Sequence, residues 1–264
     1  MKKEKWVFIC LIVGVSLFNL GFIKIFRPPT PKQEEGKKPY LCRKVTGKIT
    51  IDGKLDEKAW KSADVIDTFY LLRKSPKDEI KPAVSRTVAR LLWDDEFLYI
   101  GIEAQDKDIW ATITEHDGKL WTEDVLELFI KPDKNNPAYY EFEFSPKNVV
   151  LDLIIPRRGS RSFAFSKRYE SNLKSAVKVY GTLENWKDKD EKWVLEVAIP
   201  FTAFKETVPP PRVGSEWTFA VCRYNYSVYL PASYTNAKEL STSTPFSAYS
   251  FHRYEDYAPL KFVE

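Results

Sequence analysis

Histidine, methionine, cysteine and glycine are scarce here: two, one, three and ten residues in a chain of 264. With only His116 and His252, histidine-dependent catalysis has few options, and neither a His-Glu-x-x-His run nor a Gly-x-Ser-x-Gly turn occurs. There is no glycine-rich phosphate loop, no Cys/His metal spacing and no internal repeat. Long helical periodicity is also lacking, which removes bundles and α/β layers from consideration.

A basic excess is missing once charge is divided along the chain. The net charge is +4, from 41 basic and 37 acidic residues, but residues 1–38 hold eight of the former and three of the latter. The remaining 33 basic and 34 acidic residues nearly cancel, so the footprint of a nucleic-acid partner is absent. The surplus belongs to a leader in which Met1-Lys2-Lys3-Glu4-Lys5 precedes an uncharged run from Trp6 to Ile23.

That run is just long enough to span a bilayer, and no Ala-x-Ala cleavage pattern follows it. Residues 1–27 therefore read as an uncleaved membrane anchor, the alternative being a cleaved signal segment and a secreted product. Phe8 and Ile9 are too bulky for a lipobox at Cys10. Both flanks of the run are basic, so charge separates the two orientations poorly. The module-like content of the rest places it outside the cell, in the envelope. Pro28-Pro29-Thr30-Pro31 and the charged stretch to Pro39 make residues 28–39 a semi-rigid spacer. Cys42 and Cys222 are then the one pair available for a disulfide; two buried thiols are the other reading.

What the remainder has in abundance is aromatic residues, 17 Phe, 14 Tyr and 8 Trp in the whole chain, set in period-two alternation. The clearest hairpin runs from Thr87 to Trp93, turns at Asp94-Asp95-Glu96 and returns from Phe97 to Ala104. Further strands are expected at Lys48 to Ile51, Asp124 to Lys131, Tyr139 to Ser145, Val149 to Ile155, Ser175 to Gly181, Trp193 to Ile199, Trp217 to Tyr226 and Leu260 to Val263. One helical turn or two should follow Asp56 as cap, and another should span Phe201 to Phe204 after Pro200. Ser227 to Ser250 reads as a long surface loop. The expected fold is all-β, a two-sheet antiparallel β-sandwich over residues 40–264 with one or two short helical turns. Trp60, Trp93, Trp193 and Trp217 belong to its core.

Five segments in order carry a resemblance: Ile51-Asp52-Gly53-Lys54-Leu55-Asp56-Glu57-Lys58-Ala59-Trp60, Ala89 to Ile100, Trp121-Thr122-Glu123-Asp124-Val125-Leu126-Glu127-Leu128-Phe129-Ile130, Trp193 to Pro200, and Phe251-His252-Arg253-Tyr254-Glu255-Asp256-Tyr257. Together they resemble the family 9 carbohydrate-binding modules, within the DOMON-like group of immunoglobulin-like or jelly-roll sandwiches. The resemblance implies non-catalytic binding of a glycan by a protein associated with carbohydrate catabolism. It places two aromatic clamp residues at Trp121 and Phe251, where the family often has Trp at the second position. Tyr249 and Tyr254 stand by as platforms if Phe251 plugs the core. It also raises a structural calcium, for which Asp106, Asp108 and Asp117 are conceivable ligands.

The chemistry of such a site is half apolar and half polar, an aromatic face covering pyranose C–H bonds while fixed groups bond hydroxyls. Alternation puts Glu127 between Val125 and Phe129, where a carboxylate needs a partner. Arg223 is expected to supply that partner or a hydroxyl donor, with a structural ion pair within the sheet as the alternative. Arg90 carries the same ambiguity, and His252 adjoins the second clamp residue. Glu143 reads as solvated.

The competing functions are an envelope interaction domain that has lost the sugar clamp, a glycoside hydrolase and a haem carrier. Two carboxylates across a cleft are not established, because Asp124 and Glu127 point to opposite faces of one strand. A Met/His haem site cannot form with Met1 alone, which leaves a bis-His site from His116 and His252. No cofactor is required, and a monomer is expected.

Overall fold

A computed structural model describes residues 37–160 and 168–264. The anchor expected over 1–27 and residues 28–36 of the expected 28–39 spacer lie outside the described residues. Among the described residues no helix is long and apolar enough to cross a membrane.

Twelve strands follow in chain order: β1 (Tyr40–Lys44), β2 (Tyr70–Leu71), β3 (Thr87–Trp93), β4 (Phe97–Gln105), β5 (Val125–Lys131), β6 (Tyr139–Phe144), β7 (Val150–Ile155), β8 (Lys174–Tyr180), β9 (Lys192–Pro200), β10 (Glu216–Tyr226), β11 (Lys238–Thr242) and β12 (Ala258–Val263). The helical residues are short 3-10 turns, including Lys58–Ser62 and Phe201–Phe204. The all-β expectation stands, but the strands join into one curled sheet, ordered β7-β6-β5-β10-β12-β1-β3-β4-β9-β8, with β11 beside β10 and β2 beside β11. β1 closes the curl by pairing in parallel with both β12 and β3.

The curl brings two halves face to face. Leu126, Leu128 and Ile130 of β5, Phe142 and Phe144 of β6, and Phe219 and Val221 of β10 meet Leu91, Trp93, Ile100, Ile102, Trp193, Leu195 and Val197 in one core. Each such side chain contributes roughly 1.5–3 kcal/mol by leaving water. The four tryptophans expected to be internal are all buried.

Several expectations need correction. Lys48 to Ile51 forms no strand, whereas Tyr40–Lys44 does. The turn after Asp56 is headed by Glu57, which makes no side-chain cap. The supposed loop from Ser227 contains β11, antiparallel to the second half of β10. Cys42 and Cys222 are both buried free thiols. Cys42 lies opposite Phe262, while β12 runs on past Lys261↔Glu216, so Cys222 is roughly 20 Å further along its strand at about 3.3 Å per residue. A disulfide needs Cα atoms within about 7 Å.

Motif residues in the first and fourth resembling segments are architectural. The Glu196 carboxylate on β9 accepts the N–H groups of Asp52 (2.9 Å) and Gly53 (3.0 Å) and the indole N–H of Trp60 (3.0 Å). Gly53 has φ of +79°, and a Cβ there would stand 3.0 Å from the backbone of Lys178. Only glycine fits so close an approach without strain.

Both outer faces are also covered. Residues 45–63 bury Leu92, Tyr99 and Ala198 behind one half. Behind the other, a second apolar cluster gathers Val125, Phe129, Tyr139, Leu151, Leu153, Ala220 and Cys222 under Phe246, Phe251 and Tyr257. β5 and β6 are therefore buried along their whole length, and that second covering builds the site.

Candidate functional site

Between the outer face of β5-β6-β10 and the segments carrying Trp121 and Tyr249 to His252 lies a cavity of about 650 Å³. Its walls include Trp121, Phe129, Tyr224 and Phe251, and its floor holds Glu127, Glu141 and Glu143.

The Trp-x-x-Asp-x-x-Glu segment divides its work by alternation. Asp124, facing away from the cavity floor, accepts the N–H of Trp110 (2.7 Å) and of Tyr226 (2.7 Å). Glu123 caps the backbone of Thr112 and Ile113 and the Thr112 hydroxyl. These bonds pin the start of β5, so that Trp121 stands half-buried at the cavity edge and Glu127 points into it. The Tyr226 hydroxyl donates to the Trp121 carbonyl at 2.9 Å, fixing the indole's main chain from a second strand.

The carboxylates follow from register. Glu127 pairs directly with Glu143 across the β5–β6 ladder, and Glu141 lies opposite Phe129 on the same face. Carboxylate oxygens of all three lie within 4.8 Å of one another, and all three residues are buried. Burial raises each pKa: Glu127 and Glu143 well above the usual carboxylate range, Glu141 to about 7. One oxygen of Glu127 and one of Glu143 have no hydrogen-bond partner.

The aromatic walls have unequal roles. Phe251 is 5% exposed, edge-on to Tyr224 at 5.2 Å and packed against Phe129 and Phe246, so it is committed to the covering layer. Tyr249, 52% exposed, stands at the mouth. Tyr254 is not a wall of this cavity; it takes Arg158 over its ring at 4.7 Å. His252 joins its Nδ1 to the Tyr139 hydroxyl at 3.0 Å and packs edge-on against Phe129. Burial, then the charge of Arg158, lowers its pKa.

The structure thus brings Trp121, Glu127, Phe251 and His252 together and leaves the two arginines elsewhere. Arg223 lies beside Leu126 in the ladder, on the face opposite Glu127. It is 1% exposed, bonding Asp106 at 2.9 Å and the Thr87 hydroxyl at 3.1 Å. Alternation had paired Arg223 with its own neighbours correctly, but the register sets those neighbours on the inner face. Arg90 sits on β3 and meets Glu103 at 3.3 Å. Glu143, expected in water, is 1% exposed because the covering layer shields its face.

The three aspartates do not converge on a common ion. Asp106 serves Arg223, Asp108 accepts the N–H of Val228 at 3.0 Å, and Asp117 sits near His116 in another region. Burial raises Asp106 to about 6 against the opposing pull of Arg223. His116 and His252 line different cavities and share no partner among the described residues, so they do not form a bis-His haem site.

Glu141 escaped sequence reasoning, and Tyr224, Leu72 and Lys119 also line the cavity. The signal for Glu141 was the Glu-x-Glu spacing at 141 and 143, which becomes visible only when β6 is read as buried on both faces.

A family profile described as carbohydrate family 9 binding domain-like matches residues 51–225. Among curated proteins the chain is 29% identical over 157 residues to endo-1,4-beta-xylanase C of Paenibacillus barcinonensis, over 56% of this chain and 13% of that enzyme. Among solved structures it resembles a candidate carbohydrate-binding protein from Bacteroides uniformis, with TM-score 0.63, 14% identity and coverage of 86% of this chain and 100% of that one. It also resembles a family 9 carbohydrate-binding module from Caldicellulosiruptor kristjanssonii in complex with cellotriose, with TM-score 0.54, 12% identity and coverage of 86% and 94%. At such identities the structural likeness speaks for the fold.

Proposed function

The chain belongs to the carbohydrate family 9 binding domain-like family, and on that basis we propose that it binds a glycan, without chemical change, in the Trp121 cavity. The carrying observation is the placement of Trp121 and Glu127 on one segment. An indole stands half-buried at the edge, with hydrogen-bonding carboxyls beneath it. The solved Caldicellulosiruptor module, whose fold this chain shares, holds cellotriose, and a sugar ring of that kind fits an apolar face beside polar acceptors.

Trp121 forms one platform and Tyr249, the exposed ring at the mouth, the other, while Phe251 supports the wall from behind. Catalysis does not suit this arrangement. A glycosidase sets its two carboxylates on either side of the scissile bond, whereas Glu127, Glu141 and Glu143 share one sheet face. In the same reading, the Trp6–Ile23 run tethers the domain to the membrane from outside the cell.

A glycan array probed with the full-length protein tests the proposal, followed by fluorescence titration against each hit. Quenching or a blue shift that Trp121→Ala abolishes is expected. Silence across the array by folded protein favours the envelope interaction domain, a reading that gains from Phe251 being committed to packing rather than to an open platform.

A further inference from the structure

Two glutamates directly opposite one another in an antiparallel ladder repel, and placing them out of water adds to the cost. Here Glu127 faces Glu143, with Glu141 two residues further along β6. None of the three forms a salt bridge with a lysine or arginine among the described residues, and Lys119, which lines the same cavity, is not ion-paired with any of them. His252 Nδ1 lies 4.0 Å from Glu141, and burial lowers its pKa, which favours the neutral ring. Glu143 is hydrogen-bonded to Glu141 and to the Trp121 backbone, yet Glu127 and Glu143 each keep one buried oxygen unmet, and an unmet buried acceptor lining a cavity points to a ligand.

The geometry says which kind. A sugar hydroxyl donates one hydrogen bond, whereas a primary ammonium donates three and accepts none. One carboxylate oxygen from each of the three lies within 4.8 Å of the others, close enough for a single nitrogen donating at charge-assisted distances of about 2.8–2.9 Å to reach all three. Glu127 and Glu143 each direct a buried oxygen without a partner toward this space. A calcium ion would ask for six to eight oxygens, and the surroundings are instead the rings of Trp121, Phe129, Tyr224 and Phe251. Aromatic faces suit both a pyranose and an organic cation.

We infer that the cavity selects a glycan bearing a free amine, a hexosamine residue whose ammonium sits among Glu127, Glu141 and Glu143 while its ring lies against Trp121. This rests on the carbohydrate reading of the same cavity and adds the class of sugar.

Calorimetric titration of the full-length protein with glucosamine disaccharide, N,N′-diacetylchitobiose and cellobiose tests it at one ionic strength. The free amine should bind at least tenfold more tightly than either neutral sugar. Glu127→Gln and Glu143→Gln should reduce that preference below threefold, while the thermal midpoint holds or rises; a purely structural glutamate would lower the midpoint instead. Equal affinity for cellobiose and the amine overturns this inference and leaves the carbohydrate reading standing. Binding of none of the three, by folded protein that also stays silent on the glycan array, removes both. Calcium binding that the Glu127→Gln change abolishes, without any amine preference, overturns it in favour of a metal site.

Discussion

At the scale of single residues, the energetics of the cavity floor make a sign-definite prediction. Glu127, Glu141 and Glu143 are buried, and their pKa values are raised in the folded protein. A carboxyl whose folded pKa exceeds its unfolded one holds its proton more tightly when folded, so it favours folding at low pH. That contribution is lost as pH rises from the unfolded value through the folded one. For Glu141 the window runs from 4.5 to about 7. Thermal midpoints measured across that range should fall with pH, and Glu141→Gln should flatten the slope. A midpoint rising over the same interval would contradict the assignment. Glu143 shows why this chemistry was half legible. Its alternation with Phe142 and Phe144 was correct, but only the covering layer, contributed from more than 100 residues away in Phe251 and Tyr257, decides that its face is dry.

Elements set where those residues point. Asp124 joins the start of β5 to Trp110 and to Tyr226 of β10 through two backbone N–H groups, and removing it strands both. Asp124→Ala should lower stability by about 2–4 kcal/mol, from the loss of a buried acceptor shared by two donors, and should weaken ligand binding because Trp121 loses its support. Chemical denaturation and titration of the same variant check both effects; full stability with lost binding would make Asp124 a ligand contact instead. Glu196 plays the corresponding part for the Asp52-Gly53 turn. Glu196→Ala, which leaves three donors unmet, should cost on the order of 3 kcal/mol and leave sugar binding intact in the protein that remains folded. The hairpin of β3 and β4 could be read from sequence because its turn is local. β1 could not, since Tyr40–Lys44 is a strand only by virtue of parallel partners more than 45 residues distant. Arg223 failed for the same reason: periodicity gives which residues share a face, and only register tells which face.

At the scale of the whole molecule, the family and the all-β character followed from five ordered segments, of which the second, third and fourth supply strands of the sheet and the first and fifth supply its coverings. Near-neutral charge beyond residue 38 fits a binding domain that does not rely on long-range attraction to polyanions. The apolar run from Trp6 to Ile23 leads to a prediction about location. Fractionation of cells should place the full-length protein in the membrane pellet, released by detergent and retained in high salt; recovery in the soluble fraction would dismiss the tether without touching the domain.

The central claim is that a sugar ring lies in the cavity edged by Trp121. A crystal structure of the full-length protein with an oligosaccharide found on the array tests it most directly. A pyranose is expected within about 4 Å of the Trp121 indole, with its polar groups directed at Glu127, Glu141 or Glu143. Sugar bound on any other face, with this cavity unfilled, would contradict it.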